Sequence, residues 1–293
     1  MKLKNISVNR ILACLIAVFI FAFSMNFSFD ANASNTSRIY RRYNATTGAF
    51  LGRYMLGALN VNDNVSTYNV IGSDDRVVDF TKSGVVKLMG SDEYIGTGFV
   101  VDSHTIATAA HCIWDYDNNS SIQISEIRLF DANGNISKTV TPVEAHIPQI
   151  YLNNKGAGYD YGVITVNEDL SDYAIFDLGV PLYSASDNEL AISVTGFPKY
   201  LHNNEEEVVN SDTLDNMYTG NGVLSASNSN DVLYYTADAS EGNSGGPVYI
   251  TTSYYGTVYY TVIGIHTSGS SIVNSGVSMT TDLLHFYLNN SHI

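Results

Sequence analysis

From residue 70 onward the apolar positions gather in short runs rich in β-branched and aromatic residues, at 84–89, 96–102, 105–109, 122–130, 161–166, 191–197, 232–237, 248–252, 258–266 and 276–280. Gly, Asn, Asp and Ser clusters separate them, as the turns between strands require. The runs are too short for helices and carry no 3.6-residue period, so each predicts a strand. Only residues 281–290 read as a helix, with Leu283, Leu284, Phe286, Tyr287 and Leu288 supplying its apolar side. Many short strands closed by one terminal helix predict an all-β architecture of barrels or sandwiches. No repeat, heptad or low-complexity tract interrupts the pattern, and periodicity alone does not choose among β folds.

The first 69 residues differ in character. Lys2, Lys4 and Arg10 precede an apolar run over residues 11–25, and Ala31-Asn32-Ala33 follows at the small-residue spacing that signal peptidase reads. The run is short for a membrane span of ~20 residues, so residues 1–33 are expected to be a secretory signal peptide rather than an anchor. Residues 34–69 are rich in Asn, Thr, Ser and Tyr, show no sustained periodicity, and are expected to be a propeptide or tail. Residues 70–293 then form the working domain.

The 293-residue chain is 45% hydrophobic and 15% charged, enough for one large core or two small ones. Its net charge of −15 divides unevenly, with seven Lys/Arg against two Asp/Glu before Val70 and seven against 27 from Val70 onward. So acidic a body argues against nucleic-acid or anionic-membrane partners and suits a soluble extracellular protein. Arg38, Arg41, Arg42 and Arg53 make the leader basic, so it is expected to pair with that body before removal. Of the two cysteines, Cys14 lies in the signal segment, which leaves Cys112 without a disulfide partner.

Candidate chemistry lies in three places. Gly242-Asn243-Ser244-Gly245-Gly246-Pro247 presents a serine among glycines, which let amide hydrogens approach a developing oxyanion; Gly242 and Ser244 are the candidate donors. Thr108-Ala109-Ala110-His111-Cys112 follows an apolar strand, and small alanines leave room for close packing around His111. Asp160 heads the apolar strand Tyr161-Gly162-Val163-Ile164, where a hydrogen-bonded carboxylate can fix an imidazole tautomer. Taken singly, the histidine and aspartate read more simply as structural residues. Together they supply a nucleophile, a base and a carboxylate for acyl transfer.

These motifs, in the order His…Asp…Ser, resemble the chymotrypsin-like serine proteases over roughly residues 70–293. The resemblance implies two six-stranded antiparallel β-barrels with the active site in the cleft between them and a carboxy-terminal helix. It also implies that Ser244 attacks, His111 moves the proton, Asp160 orients the imidazole, and no cofactor or metal takes part. Val70-Ile71-Gly72-Ser73-Asp74-Asp75-Arg76 is similar to the mature amino terminus of the bacterial glutamyl endopeptidases, and Gly264-Ile265-His266 to their specificity strand. By that likeness the freed amino group of Val70 and the imidazole of His266 receive a substrate carboxylate, while Thr267, Ser268 and Gly269 pair with the substrate backbone.

The chain departs from that pattern just before the nucleophile. The family carries a hydroxyl residue five positions ahead of the serine; here it is Ala239, with Ser240 next along as the candidate substitute. Glu241, where glycine is common, would repel an acidic substrate by about 1 kcal/mol when exposed, or favour a basic residue nearby. Asp238 has the spacing at which trypsin-like enzymes recognise Lys or Arg. Two activities therefore stand, cleavage after Glu (secondarily Asp) first and cleavage after Lys or Arg second, beside an inert protease fold kept as a binding module. Asp115, Asp117, Asn118 and Asn119 read as a polar turn before they read as calcium ligands. The expected form is a secreted bacterial monomer acting on peptides or proteins.

Overall fold

The computed structural model describes residues 38–43, 50–56, 70–71, 73–91, 94–180, 190–203, 206–209, 216–227, 231–270 and 273–290, all in one unit, Asn35–Ile293. The expected signal peptide lies outside the described residues.

Strands β1 (Arg38–Tyr43) and β2 (Phe50–Leu56) precede Val70, and β3 (Val77–Val78) follows the Val70 segment. A first group comprises β4 (Val85–Met89), β5 (Tyr94–Asp102), β6 (Thr105–Thr108), a small ribbon of β7 (Trp114–Asp115) and β8 (Ser120–Ser121), β9 (Glu126–Phe130), β10 (Ile136–Val140) and β11 (Pro142–His146). Helix α1 (Gln149–Asn154) leads to β12 (Gly162–Val166) and the connecting strand β13 (Phe176–Val180). A second group holds β14 (Ala191–Gly196), β15 (Tyr200–Asn203), β16 (Glu206–Val209), β17 (Tyr218–Ser227), β18 (Val232–Tyr235), β19 (Pro247–Tyr254), β20 (Thr257–Gly269) and β21 (Asn274–Ser278). Helix α2 (Thr281–Asn290) ends the described chain.

Two strand systems result. The first is an antiparallel sheet of seven, in the order β10-β9-β4-β5-β6-β12-β11. The second closes on itself as β19-β14-β17-β18-β21-β20, because β19 also pairs with β20. This is the two-barrel architecture implied by the motifs, with the second barrel closed by six strands and the first a curled sheet of seven. Strand β13 bridges them by running parallel to β20, with Phe176 opposite Tyr260.

Packing follows the alternation along the strands. A large apolar cluster runs from Val86, Phe99, Ile106 and Ile164 in the first system through Phe176, Tyr249 and Val262 to Leu283 and Tyr287 of α2. A smaller one, with Val194, Leu224, Tyr235, Val248 and Ile263, fills the closed barrel. Each such side chain contributes about 1.5–3 kcal/mol on burial. Thr280 Oγ1 caps α2 by accepting the Leu283 N–H at 3.0 Å, and the helix buries Leu283, Leu284 and Tyr287 of its expected apolar side.

Differences from the sequence reading concern polar or glycine-bearing strands. Strands β10 and β11 are largely exposed, so their faces carry no apolar alternation. Strand β17 contains Gly220 and Gly222, which interrupt the pattern for a packing reason. A Cβ on Gly220 would lie 2.2 Å from the Asp238 carbonyl oxygen, and one on Gly222 would lie 2.2 Å from the Ala237 nitrogen. Within residues 34–69, read as lacking strand periodicity, β1 and β2 form an antiparallel pair, and β1 pairs with β13 from Arg41 opposite Val180 to Tyr43 opposite Leu178.

Gly220→Ala should therefore lower stability by roughly 1–3 kcal/mol, because backbone rather than a flexible side chain occupies the space. Gly256→Ala meets nothing within 4 Å and suffers only from its positive φ, so about 1 kcal/mol is expected. Denaturant melts of the two variants check the contrast; equal losses would contradict it.

Candidate active site

Strand β6 ends at Thr108, and the fully buried Ala109 and Ala110 carry the chain into a 3-10 turn, Ala110–Cys112. Asp160 caps a second 3-10 turn, Ala157–Tyr159, just before β12. Strands β6 and β12 pair with Thr108 opposite Gly162, so their register brings the two turns side by side. Both oxygens of Asp160 then serve His111: Oδ1 accepts its backbone N–H at 2.9 Å and Oδ2 accepts Nδ1–H at 2.7 Å. This contact places the proton on Nδ1 and leaves the Nε2 lone pair for another partner. Burial disfavours the imidazolium, but the Asp160 charge and the adjacent Cys112 thiol outweigh it and hold the His111 pKa well above the ordinary histidine value.

Ser244 comes from the other strand system, in the loop leading into β19, and is buried. Its carbonyl accepts the Thr97 N–H of β5 at 2.8 Å, and Cys112 Sγ lies 3.5 Å from the same oxygen. Gly245 has φ +86°, and a Cβ there would meet the Thr97 carbonyl at 2.1 Å and Thr108 Oγ1 at 2.2 Å. Gly242 has φ +95°. A Cβ on Gly242 would lie 2.4 Å from the Phe197 carbonyl oxygen, so both positions need glycine for close approach as well as for backbone sign.

The loop also orients its amides. The Lys199 N–H donates to the Glu241 carbonyl at 2.6 Å, and the Gly246 N–H donates to the Asn243 carbonyl at 2.9 Å. In a trans peptide the N–H points opposite the carbonyl. Tying these two oxygens therefore turns the Gly242 N–H away from Lys199 and the Ser244 N–H away from the Gly246 amide. Thr97 Oγ1 donates to the Gly242 carbonyl at 2.7 Å, and Tyr94 Oη contacts it as well.

The residues before the loop meet the Val70 segment. Asp238 is buried, and its carboxylate accepts the Ile71 N–H at 2.7 Å and the Asp75 N–H at 3.2 Å. Burial raises its pKa, partly offset by those two amides and reinforced by the charges of Asp75 and Asp74. Ala239 is buried without a polar group. Ser240 Oγ accepts from Arg76 Nη1 at 2.8 Å and donates to the Tyr200 carbonyl at 2.8 Å. Val70 itself is half-buried at the head of this segment.

His266 is buried on β20, with its N–H on the Gly246 carbonyl and its own carbonyl on the Gly245 N–H. Burial, then the charges of His111 and Arg76, push its pKa down to about 3, so the imidazole is neutral. Tyr235 Oη lies 2.6 Å from its Nδ1. Beyond it, Ser268 and Gly269 pair with Ser275 and Asn274 of β21. Pairing with β19 stops at Ile265, so among the described residues no strand lies along the other side of Thr267, Ser268 and Gly269.

Sequence reasoning missed Arg76, Tyr235, Thr97 and Lys199. Arg76 stands inside the segment singled out for Val70 yet carries no local signal, since its partner Ser240 is 164 positions away. Glu241 is paired with Lys199 Nζ at 2.6 Å, which relieves the rim of an unpaired carboxylate. Asp115 closes its own turn by accepting from the Asp117 and Asn118 amides and from Asn118 Nδ2.

With this geometry in place, comparison with known proteins gives the class. The trypsin family pattern matches residues 62–282, and the chain belongs to that family of serine proteases. An extracellular metalloprotease of Bacillus subtilis (strain 168) is 26% identical over 268 residues, covering 87% of this chain and 80% of the relative. A solved structure of a Glu endopeptidase in complex with MPD has a TM-score of 0.57 at 18% identity, covering 75% of this chain and 98% of that one. The Bacillus relative's name implies a metal, yet among the described residues no group of three or more His, Cys, Asp and Glu side chains is arranged to hold one. No step below is routed through a metal.

An NMR titration should find His111 changing charge well above the ordinary histidine range. Asp160→Asn removes the largest influence favouring the imidazolium and leaves burial opposed by Cys112 alone, so the midpoint should fall; an unchanged midpoint would contradict the assigned cause.

Proposed function

We propose that the protein is a secreted serine endopeptidase that cleaves after Glu, and secondarily Asp, through an acyl-enzyme. The observation that carries the hydrolytic reading is the double hydrogen bond from His111 to Asp160, because it leaves Nε2 as the free base of the imidazole. Ser244 Oγ attacks the scissile carbonyl carbon while its proton passes to His111 Nε2. The amides of Gly242 and Ser244 hold the oxyanion. His111 returns the proton to the leaving amine, water then attacks the acyl carbon through the same base, and the new carboxylate departs. This path needs no cofactor.

The preference for Glu is supported by the charges around residues 238–240. A trypsin-like reading needs Asp238 to face a cationic side chain, but both its oxygens are engaged by the Ile71 and Asp75 amides. His266 is neutral and fully buried, the Tyr235 hydroxyl lies between its Nδ1 and the Ser275 carbonyl, and in the tautomer protonated at Nε2 the imidazole offers a donor suited to a carboxylate. After cleavage before Val70, the new ammonium would stand one residue from the Ile71 amide that Asp238 holds. The glutamyl preference of the structural relative agrees with this reading. Secretion accords with the leader composition and with the extracellular Bacillus relative.

Three experiments test the reading. Processed enzyme from the full chain, given a peptide library, should cut after Glu, and Ser244→Ala should lose at least about 10³-fold in rate. Cuts after Lys or Arg would replace the glutamyl reading, and Ser244-independent hydrolysis would sink the mechanism. Because His111 must be neutral to act and its pKa is raised, kcat/KM should rise with pH through a limb above the ordinary histidine range. Asp160→Asn should shift that limb down and lower kcat by about 10³–10⁴-fold. One extra residue before Val70 should depress activity on Glu peptides; equal activity would remove the amino group from the site.

A further inference from the structure

Arg76 lies at the end of the Val70 segment with its side chain wholly shielded from solvent. Its guanidinium joins three stretches of chain. Nη1 donates to Ser240 Oγ at 2.8 Å, Nη2 donates to the Tyr200 carbonyl at 3.0 Å, and Nε and Nη2 grip Asp74 at 2.9 and 2.6 Å. Ser240 donates to the same Tyr200 carbonyl. The segment's other anchor is Asp238, which takes the Ile71 and Asp75 amides. Residues 71–76 are thus bound along the stretch 238–240 just ahead of the nucleophile loop. A buried guanidinium is costly unless its N–H groups are used, and here its bonds build a wall rather than reach solvent.

The charge count at this wall decides what Arg76 does. Arg76 and the ammonium freed at Val70 supply two positive charges against the carboxylates of Asp74 and Asp238, with exposed Asp75 adding a third negative charge, while neutral His266 supplies no charge. An incoming carboxylate therefore meets a wall whose cations largely offset its anions. Without Arg76 a single cation would face it together with those carboxylates, in a setting where water screens little.

We infer that Arg76 is a specificity-determining positioning residue, which fixes Ser240 and the Val70 segment as one wall of the substrate pocket and supplies the permanent positive charge that lets the pocket take an acidic side chain. This rests on the glutamyl reading above and names a residue that selects for it. Arg76 acts on substrate through the wall and through the field at His266, and it takes no part in bond making.

The test uses full-length chain processed to its mature form, with the new amino terminus checked by sequencing and competent sites counted with a serine-directed organophosphonate. kcat and KM are measured for two peptides that differ only in Glu or Gln at the cleaved position. In Arg76→Gln the Glu:Gln ratio of kcat/KM should fall roughly tenfold or more, through a higher KM for the Glu peptide than for the Gln peptide. Arg76→Lys, which keeps charge but loses the fork, should keep the ratio within about threefold of the unsubstituted enzyme. A ratio unchanged in Arg76→Gln, including one where both peptides slow equally, would overturn the role of Arg76 alone. If Arg76→Gln yields no titratable sites, loss of the Glu preference in a folded, titratable Arg76→Lys would overturn it. A ratio near one in the unsubstituted enzyme would overturn the glutamyl reading and this inference together.

Discussion

The amide of Thr97 donates to the carbonyl of Ser244, and that hydrogen bond ties the second strand system to the first at the site itself. His111 and Asp160 belong to the first sheet, while Ser244 belongs to the loop before β19. Their relative positions are therefore those of the interface between the two systems. Gly245 lets the loop descend until its α-carbon meets the Thr97 carbonyl and Thr108 hydroxyl, where no side chain fits. Aromatic contacts across the same seam, Phe130 on Phe197 and Phe99 on Phe176, keep the distance between the systems from drifting. A small shift in that packing would move Ser244 relative to the His111 imidazole, and a reaction between two positioned groups is steep in such displacements.

What was legible in the sequence was set by burial. Strands with one or both faces in the core announce themselves by apolar runs, which is why β4, β5, β12, β19 and β20 fell close to their expected places and α2 fell on residues 281–290. Strands β10 and β11 stay largely exposed, and their polar sequences look like loops. Strand β17 was hidden because Gly220 and Gly222 make room for the backbone of residues 237 and 238, a requirement set by a neighbour distant in sequence. The candidate site divides in the same way. His111, Asp160 and Ser244 sit in motifs whose short-range residues are dictated by tight turns. Arg76 and Tyr235 act through partners 164 and 31 positions away, and no local pattern marks them.

Electrostatics near the site differ from those of the body as a whole. The chain carries a net charge of −15, but three acidic groups around residues 238–241 are answered. Asp238 has two amides, Asp74 has the Arg76 fork, and Glu241 has Lys199. Such neutralisation keeps the acidic surface from setting the potential at the cleft, so the surface can serve solubility while the site serves binding.

Cys112 is the sole cysteine among the described residues, 2% exposed and seated against the carbonyl of the nucleophile. No disulfide supports that part of the fold, so reductants have no bond to break there. The thiol is covered by Gly96 of its own sheet as well as by the Ser244 carbonyl, so an alkylating reagent reaches it only when this packing loosens. The rate at which Cys112 is labelled thus measures how often the packing around it opens, without any introduced probe.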